Sequence, residues 1–242
     1  MGHLNTEAAE IMQRTAEKSQ MSRHLIHFID PAKSIDGIVA LGGPLTTKNL
    51  LRAYCRGIFP WPINEYILPW CCPEERGILD FNELHIPRRL ARTKHKSTFH
   101  FTMDRAFPQV ITNCATAKRK HESGTWITAQ MIRAYCELHR QGHAHSVEVW
   151  EDTELVGGLY GVDACGSFSG ESMFSLRSDA SKLALLFLID HLKQRGLDWI
   201  DIQMVTPHLE ALGAKIVSRT DFLAKLAATQ KRKLTLFELT GS

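Results

Sequence analysis

Two polar side chains interrupt an otherwise apolar strand pattern at Trp199-Ile200-Asp201-Ile202-Gln203-Met204-Val205. Successive side chains of a strand point to opposite faces, so Asp201 and Gln203 share one face and Ile200, Ile202 and Met204 the other. A carboxylate beside an amide can orient or deprotonate a nucleophile and hold a carbonyl or an amine. On an edge strand the pair is ordinary polar surface. On an interior strand, an unpaired carboxylate is costly unless a partner or a substrate satisfies it. Glu171 raises the same question within Phe168-Ser169-Gly170-Glu171-Ser172-Met173-Phe174, with Gly170 placed where a bulge or a close backbone approach fits. It either receives a cation from outside or pairs with an internal Arg or Lys.

Other chemistries find less support. His139, His143 and His145 invite a metal, but Gly142 interrupts the helix that would align them and no HExxH occurs; no metal is expected. No GxSxG marks a nucleophilic serine, and Gly157-Gly158-Leu159-Tyr160-Gly161 lies between strands rather than opening a helix, so it is not a dinucleotide or phosphate loop. The six cysteines, at 55, 71, 72, 114, 136 and 165, include no CxxC and read as free thiols of a reducing cytoplasm.

The elements that must hold these groups follow from pattern. With 242 residues, 44% hydrophobic and 23% charged, the chain can bury a core and is not disordered. Its longest apolar stretch, Leu183 to Ile189, falls far short of the roughly 20 residues that span a bilayer, so no membrane partner is expected. A short helix is predicted from Thr46 or Thr47 to Arg56, stopped by Gly57, and another from Thr128 to Gly142. Strands at 145–150, 155–162 and 167–174, joined by short turns, make an antiparallel meander. A long helix at 180–195, the strand 199–205, a short helix opened by Thr206-Pro207 and a last helix capped by Ser218 and Asp221, running through Leu226, complete an α+β sheet with packed helices.

The formal net charge of +3 hides an asymmetry. From His85 to Lys120 there are Arg88, Arg89, Arg92, Lys94, Lys96, Arg105, Lys118, Arg119 and Lys120 against Asp104 alone. This segment suits a phosphate-bearing partner, although such a run is also often just a solvated face.

In order along the chain, Gly57-Ile58-Phe59-Pro60-Trp61, Trp70-Cys71-Cys72-Pro73-Glu74-Glu75-Arg76, Gly124-Thr125-Trp126-Ile127-Thr128, His143-Ala144-His145-Ser146-Val147-Glu148, Gly170-Glu171-Ser172-Met173-Phe174-Ser175 and Asp201-Ile202-Gln203 resemble the leucyl/phenylalanyl-tRNA–protein transferase family. The resemblance runs from about Ile38 to Leu226. It implies an enzyme that moves leucine or phenylalanine, with methionine a further donor, from aminoacyl-tRNA to the N-terminal amine of proteins beginning with Arg or Lys, marking them for degradation by the bacterial N-end rule. It also implies a cytoplasmic monomer without metal or coenzyme. Residues 1–22 would be an extension, 23–78 a small N-terminal α/β domain, and 79–242 a GNAT-like acyltransferase domain with a mixed, largely antiparallel sheet.

By motif position, Asp201 and Gln203 resemble the catalytic pair and Glu171 the acid near the acceptor amine. Trp61, Trp126 and Tyr135 would surround the terminal adenosine, with Leu159, Phe168 and Met173 lining the pocket for the transferred side chain. Arg88, Arg89, Arg92, Lys94, Lys96, Lys118, Arg119 and Lys120 would meet tRNA phosphates. The chain departs from the family pattern at Cys71-Cys72, where Trp-Ser is more usual, and at Ile202, where Cys is common. Two readings compete: an acyl-CoA-dependent N-acyltransferase, disfavoured because Ser175-Leu176-Arg177-Ser178 replaces a glycine-rich turn before the long helix, and a non-catalytic RNA-binding protein of the same fold.

Overall fold

The computed structural model describes residues 25–34, 36–63, 67–117 and 126–238. Lys118, Arg119 and Lys120, and the extension expected at 1–22, lie outside the described residues.

A small antiparallel sheet in the order β1-β3-β2 comes first, from β1 (Ile38–Leu41), β2 (Phe59–Pro60) and β3 (Pro69–Cys71), with α1 (Thr47–Tyr54) between β1 and β2. The large sheet contains β4 (Glu75–Asp80), β5 (His100–Met103), β6 (Ala144–Glu151), β7 (Glu154–Ala164), β8 (Ser167–Ser175), β9 (Trp199–Gln203) and β10 (Lys215–Ser218), in the order β10-β4-β9-β8-β7-β6-β5. Its pairings are antiparallel except β8 with β9, where Ser169 stands opposite Asp201. The helices are α2 (Arg88–Lys96), α3 (Phe107–Thr116), α4 (Ala129–Arg140), α5 (Ala180–Gln194), α6 (Pro207–Glu210) and α7 (Arg219–Lys231). The mixed α+β architecture and the β6-β7-β8 meander match the sequence pattern.

Local chemistry sets the boundaries. The side chains of Thr46, Thr128 and Ser218 accept the N–H groups of Asn49, Met131 and Asp221 and so cap α1, α4 and α7. Two neighbouring glycines let a helix and the adjacent strand approach β7 closely. A Cβ on Gly157 would lie 2.6 Å from the Ala180 Cβ of α5, and one on Gly158 would lie 2.6 Å from the Val147 carbonyl and 3.4 Å from Val110 of α3. The packing of α5 thus needs Gly157 to lack a side chain, and the approach of β6 needs the same of Gly158.

Several expectations are corrected. The strand predicted over 199–205 ends at Gln203, because Gln203 takes a left-handed φ of 56° and turns the chain; Met204 is therefore exposed rather than aligned with Ile200 and Ile202. The first helix stops at Tyr54 instead of Arg56, and the last runs on to Lys231. The strand β4 was not foreseen. The link between the small sheet and β4 is held closely: Cys72 donates its N–H to Gly37 O at 2.6 Å, Arg219 donates to Cys72 O at 3.1 Å and to Glu74 O at 2.7 Å, and a Cβ on Gly37 would come within 2.7 Å of the Pro73 Cα.

Cys55 and Cys165 are not free thiols but form a disulfide, with Cα atoms 5.9 Å apart and a sequence separation of 110. Neither residue's neighbours hint at the pairing, because only the folded chain brings the end of α1 to the β7–β8 turn. A cross-link closing so long a loop stabilises by restricting the unfolded chain, typically by about 2–4 kcal/mol. Cys55→Ser is expected to lower the unfolding free energy by about that amount in urea titrations without reductant, and added reductant should bring the wild type down to the variant's curve.

Candidate active site

Asp201 sits on β9, interior to the large sheet, and is 4% exposed. Its carboxylate is fully engaged. Arg76 of β4 donates from Nε to Oδ1 at 2.8 Å and from Nη2 to Oδ2 at 2.6 Å, Ser169 Oγ donates to Oδ2 at 2.6 Å, and the Gln203 N–H donates to Oδ1 at 3.0 Å. Burial works against the charge on Arg76, but the attraction of Asp201 offsets it and holds the guanidinium above its ordinary pKa. The guanidinium lies 4.5 Å from the ring centroids of both Phe59 and Phe222, a cation–π geometry that helps a buried cation.

The register of β9 explains how Gln203 is aimed. Gly77 pairs with Gln203 and Ile78 with Asp201, leaving Ile202 as an extra residue. The left-handed backbone at Gln203, uncommon for a residue with a side chain, is supported by the bond from its N–H to Asp201. Its Nε2 then donates to Glu171 Oε1 at 2.7 Å, which leaves the amide oxygen to accept from an incoming donor.

Glu171 owes its direction to a bulge as well. Gly161 pairs with Gly170 and Tyr160 with Ser172, so Glu171 has no residue opposite it on β7; this is the bulge that Gly170 suggested. Tyr135 of α4 donates to Glu171 Oε2 at 3.2 Å, and the hydroxyls of Tyr54 and Tyr135 are 2.5 Å apart. Desolvation pushes the Glu171 carboxyl up to about 7, against the hydrogen bonds from Tyr54, Gln203 and Tyr135, and the Asp201 charge adds to the rise. Desolvation, reinforced by Glu171, also holds Tyr54 and Tyr135 well above the ordinary phenol range, so both remain donors at neutral pH. Glu148 shows the contrast. It is fully buried, but it accepts from Thr102, Arg105, Ala106 and Ser146, so its hydrogen-bonding capacity is consumed within the fold.

The chain thus sets a half-buried carboxyl group of near-neutral pKa against an amide side chain, with a fully paired carboxylate behind it. A family model described as "Leucyl/phenylalanyl-tRNA protein transferase" matches residues 78–227, and the corresponding "N-terminal domain" model matches residues 43–74. Among curated relatives named "Leucyl/phenylalanyl-tRNA--protein transferase", that of Hydrogenovibrio crunogenus is 49% identical over 77% of this chain and 73% of its own length. That of Anaeromyxobacter dehalogenans is 46% identical over 83% of this chain and 86% of its own. The chain belongs to the leucyl/phenylalanyl-tRNA protein transferase family. It is an enzyme, an aminoacyltransferase. A solved chain titled "The structure of L-PGS from Bacillus licheniformis" covers 73% of this chain at a TM-score of 0.36 and 14% identity.

The residues that the leucyl/phenylalanyl-tRNA protein transferase resemblance singled out fall into three places. Asp201, Gln203, Glu171 and Tyr135 form the hydrogen-bonded group above; Tyr135, expected near the adenosine, is fully buried with its hydroxyl on Glu171. Trp61 and Trp126 stack on each other, centroids 5.3 Å apart and planes within 18°, and Trp61 meets Phe59 edge-on at 6.2 Å. Phe59 in turn covers Arg76, which ties the tryptophans to the Asp201 centre. Leu159 and Phe168 are buried in the core cluster that includes α5, and Met173, opposite Leu159, is partly exposed at its edge. Arg88, Arg89, Arg92, Lys94 and Lys96 are exposed on α2, with Lys94 paired to Asp190.

Arg76, Ser169 and Tyr54 were missed as site residues. Arg76 had a readable signal: a single cation in the run Arg76-Gly77-Ile78-Leu79, buried if that run is an interior strand. Ser169 and Tyr54 had none, since their partners come from distant elements.

Proposed function

We propose that this chain transfers leucine or phenylalanine from aminoacyl-tRNA to the α-amine of polypeptides beginning with Arg or Lys, acting as a monomer on a GNAT-type acyltransferase domain that follows a small N-terminal domain. The product would carry a destabilising N-terminus. The observation that carries this reading is the Gln203–Glu171 contact, an amide and a carboxyl group of near-neutral pKa held together at the end of one strand and the bulge of another.

The chemistry asks for little more. The ester of aminoacyl-tRNA is already activated, so no coenzyme is needed; the enzyme must present a neutral amine to the carbonyl carbon. A free α-amine has a pKa near 7.7–8.0. Against a carboxylate whose conjugate acid lies at about 7, moving the ammonium proton to Glu171 costs only about 1 kcal/mol. Glu171 accepts that proton, and the Gln203 amide oxygen accepts a remaining N–H and directs the lone pair at the ester. The new C–N bond forms, the C–O bond to the ribose breaks, and the proton that the attacking nitrogen loses ends on the departing ribose oxygen. Asp201 has no lone pair to spare and acts by holding Gln203. Trp61 and Trp126 offer a stacking surface for the terminal adenine, and Leu159, Phe168 and Met173 the apolar surroundings of the transferred side chain.

The test supplies radiolabelled leucyl-tRNA and peptides with N-terminal Arg or Ala. Label should pass to the Arg peptide; no transfer at saturating tRNA would overturn the reading. The exposed cations of α2, and Lys118, Arg119 and Lys120, supply the tRNA phosphate contacts in this proposal. Replacing Arg88, Arg89 and Arg92 together with Ala should flatten the slope of log affinity against log salt by about 2–3. An unchanged slope in filter-binding titrations would put the tRNA elsewhere.

A further inference from the structure

We propose that Arg76 is a positioning residue for the transfer reaction: its guanidinium fixes the Asp201 carboxylate, which in turn fixes the left-handed backbone of Gln203 and the aim of its amide at Glu171. This rests on the reading above and adds to it a residue on another strand, whose hydrogen bonds run to Asp201.

Four observations carry it. Arg76 is 1% exposed and holds both oxygens of Asp201, so the carboxylate cannot rotate about its own axis. One of those same oxygens, Oδ1, accepts the Gln203 N–H at 3.0 Å. Gln203 has a φ of 56°, a conformation that persists in a non-glycine residue only when its surroundings impose it. Finally, the guanidinium is itself fixed between the rings of Phe59 and Phe222, from β2 and α7, and a Cβ on the next residue, Gly77, would lie 2.9 Å from the Met204 carbonyl carbon. Strand β4 therefore abuts the turn that Gln203 opens.

A buried pair kept only for stability would have been served as well by apolar side chains, which are often neutral or stabilising in its place. Here the pair has a second consequence, because each bond in the series from Phe59 and Phe222 through Arg76 and Asp201 ends on the backbone that carries Gln203.

The experiment compares wild type, Arg76→Lys, Gln203→Ala and the double variant in the leucyl-tRNA transfer assay, with rates expressed per folded molecule from circular dichroism at the assay temperature. Lysine keeps the charge but loses the two-pronged grip. Arg76→Lys is expected to lower kcat by at least ~30-fold with both KM values within about threefold of wild type. The double variant should be no slower than Gln203→Ala alone, since residues that act as a unit do not multiply their effects. Phe222→Leu, which removes one ring and keeps the ion pair, should give a smaller kcat loss of the same kind and serves if Arg76→Lys does not fold. A rate per folded molecule equal to wild type, in whichever of these two variants folds, or a double-variant loss equal to the product of the single losses, would overturn the proposal. An inactive wild type would instead refute the function it builds on.

Discussion

Asp201→Ala is expected to lower the melting temperature by about 6–20 °C and to leave almost no transfer activity. The stability loss follows from what the change abandons. Arg76 would remain at 1% exposure between two phenyl rings with its ion-pair partner gone. Breaking a buried pair from one side costs about 3–5 kcal/mol, and each kcal/mol moves the midpoint of a chain this size by about 2–4 °C. Ser169 Oγ and the Gln203 N–H lose their acceptor as well. Asp201→Asn keeps the shape and one carbonyl oxygen, so it should retain more of the fold than alanine while still losing most of the turnover. Calorimetry with single-turnover kinetics separates the two losses. A melting point within 2 °C of wild type for Asp201→Ala would mean that the pair is not buried as described.

For Glu171, kcat/KM is expected to rise with pH through an acid limb near 7, the pKa to which desolvation pushes its carboxyl. The ionised form is the one that takes the acceptor's proton, so activity is lost as pH falls through that value. Glu171→Gln should cut kcat/KM by about 10²-fold at pH 7.5, the lower range for general acid–base catalysis, and should retain only the limb of the peptide's own α-amine nearer 8. Stability moves the other way. A carboxyl group whose pKa is higher in the folded chain holds its proton there more tightly, so the folded state loses stability as pH rises from the ordinary value near 4.5 to about 7, then levels off. Above pH 7 the glutamine variant should therefore melt higher than the wild type while working more slowly. An unchanged pH profile in Glu171→Gln would return this residue to a structural role.

Much of this site was visible along the chain, and what was not has a common cause. Asp201 and Gln203 stood out because a period of two showed them on one face of a strand bearing isoleucines on the other. Glu171 stood out as an acid among aromatics, and Gly170 announced the bulge that aims it. The motif series from Gly57 to Gln203 gave the family. Arg76, Tyr54 and Ser169 were not legible as site residues, since each matters only through a partner between 32 and 125 positions away. The same holds for Cys55 and Cys165, read as separate thiols because spacing carries no trace of a bond closed by folding. Strand β10 also went unread: it is a four-residue edge strand, half exposed along its length, and offers little apolar pattern to detect. Gln203 was placed correctly on its face but not in its backbone, because a left-handed turn at a glutamine contradicts its local preference and is imposed from β4.

The link from Cys72 to Glu74 decides how the molecule can move. A hinge needs residues free to absorb changes in backbone angle, but here the segment is tied to Gly37 on one side and Arg219 on the other, with a proline wedged against a glycine that leaves no spare room. These contacts oppose a swing of the small sheet over the large one at this joint. Phe59 packs on Arg76 and Trp61 on Phe59, so in the proposed reaction the tRNA end would reach the site by local rearrangement of side chains or loops instead of by clamshell closure.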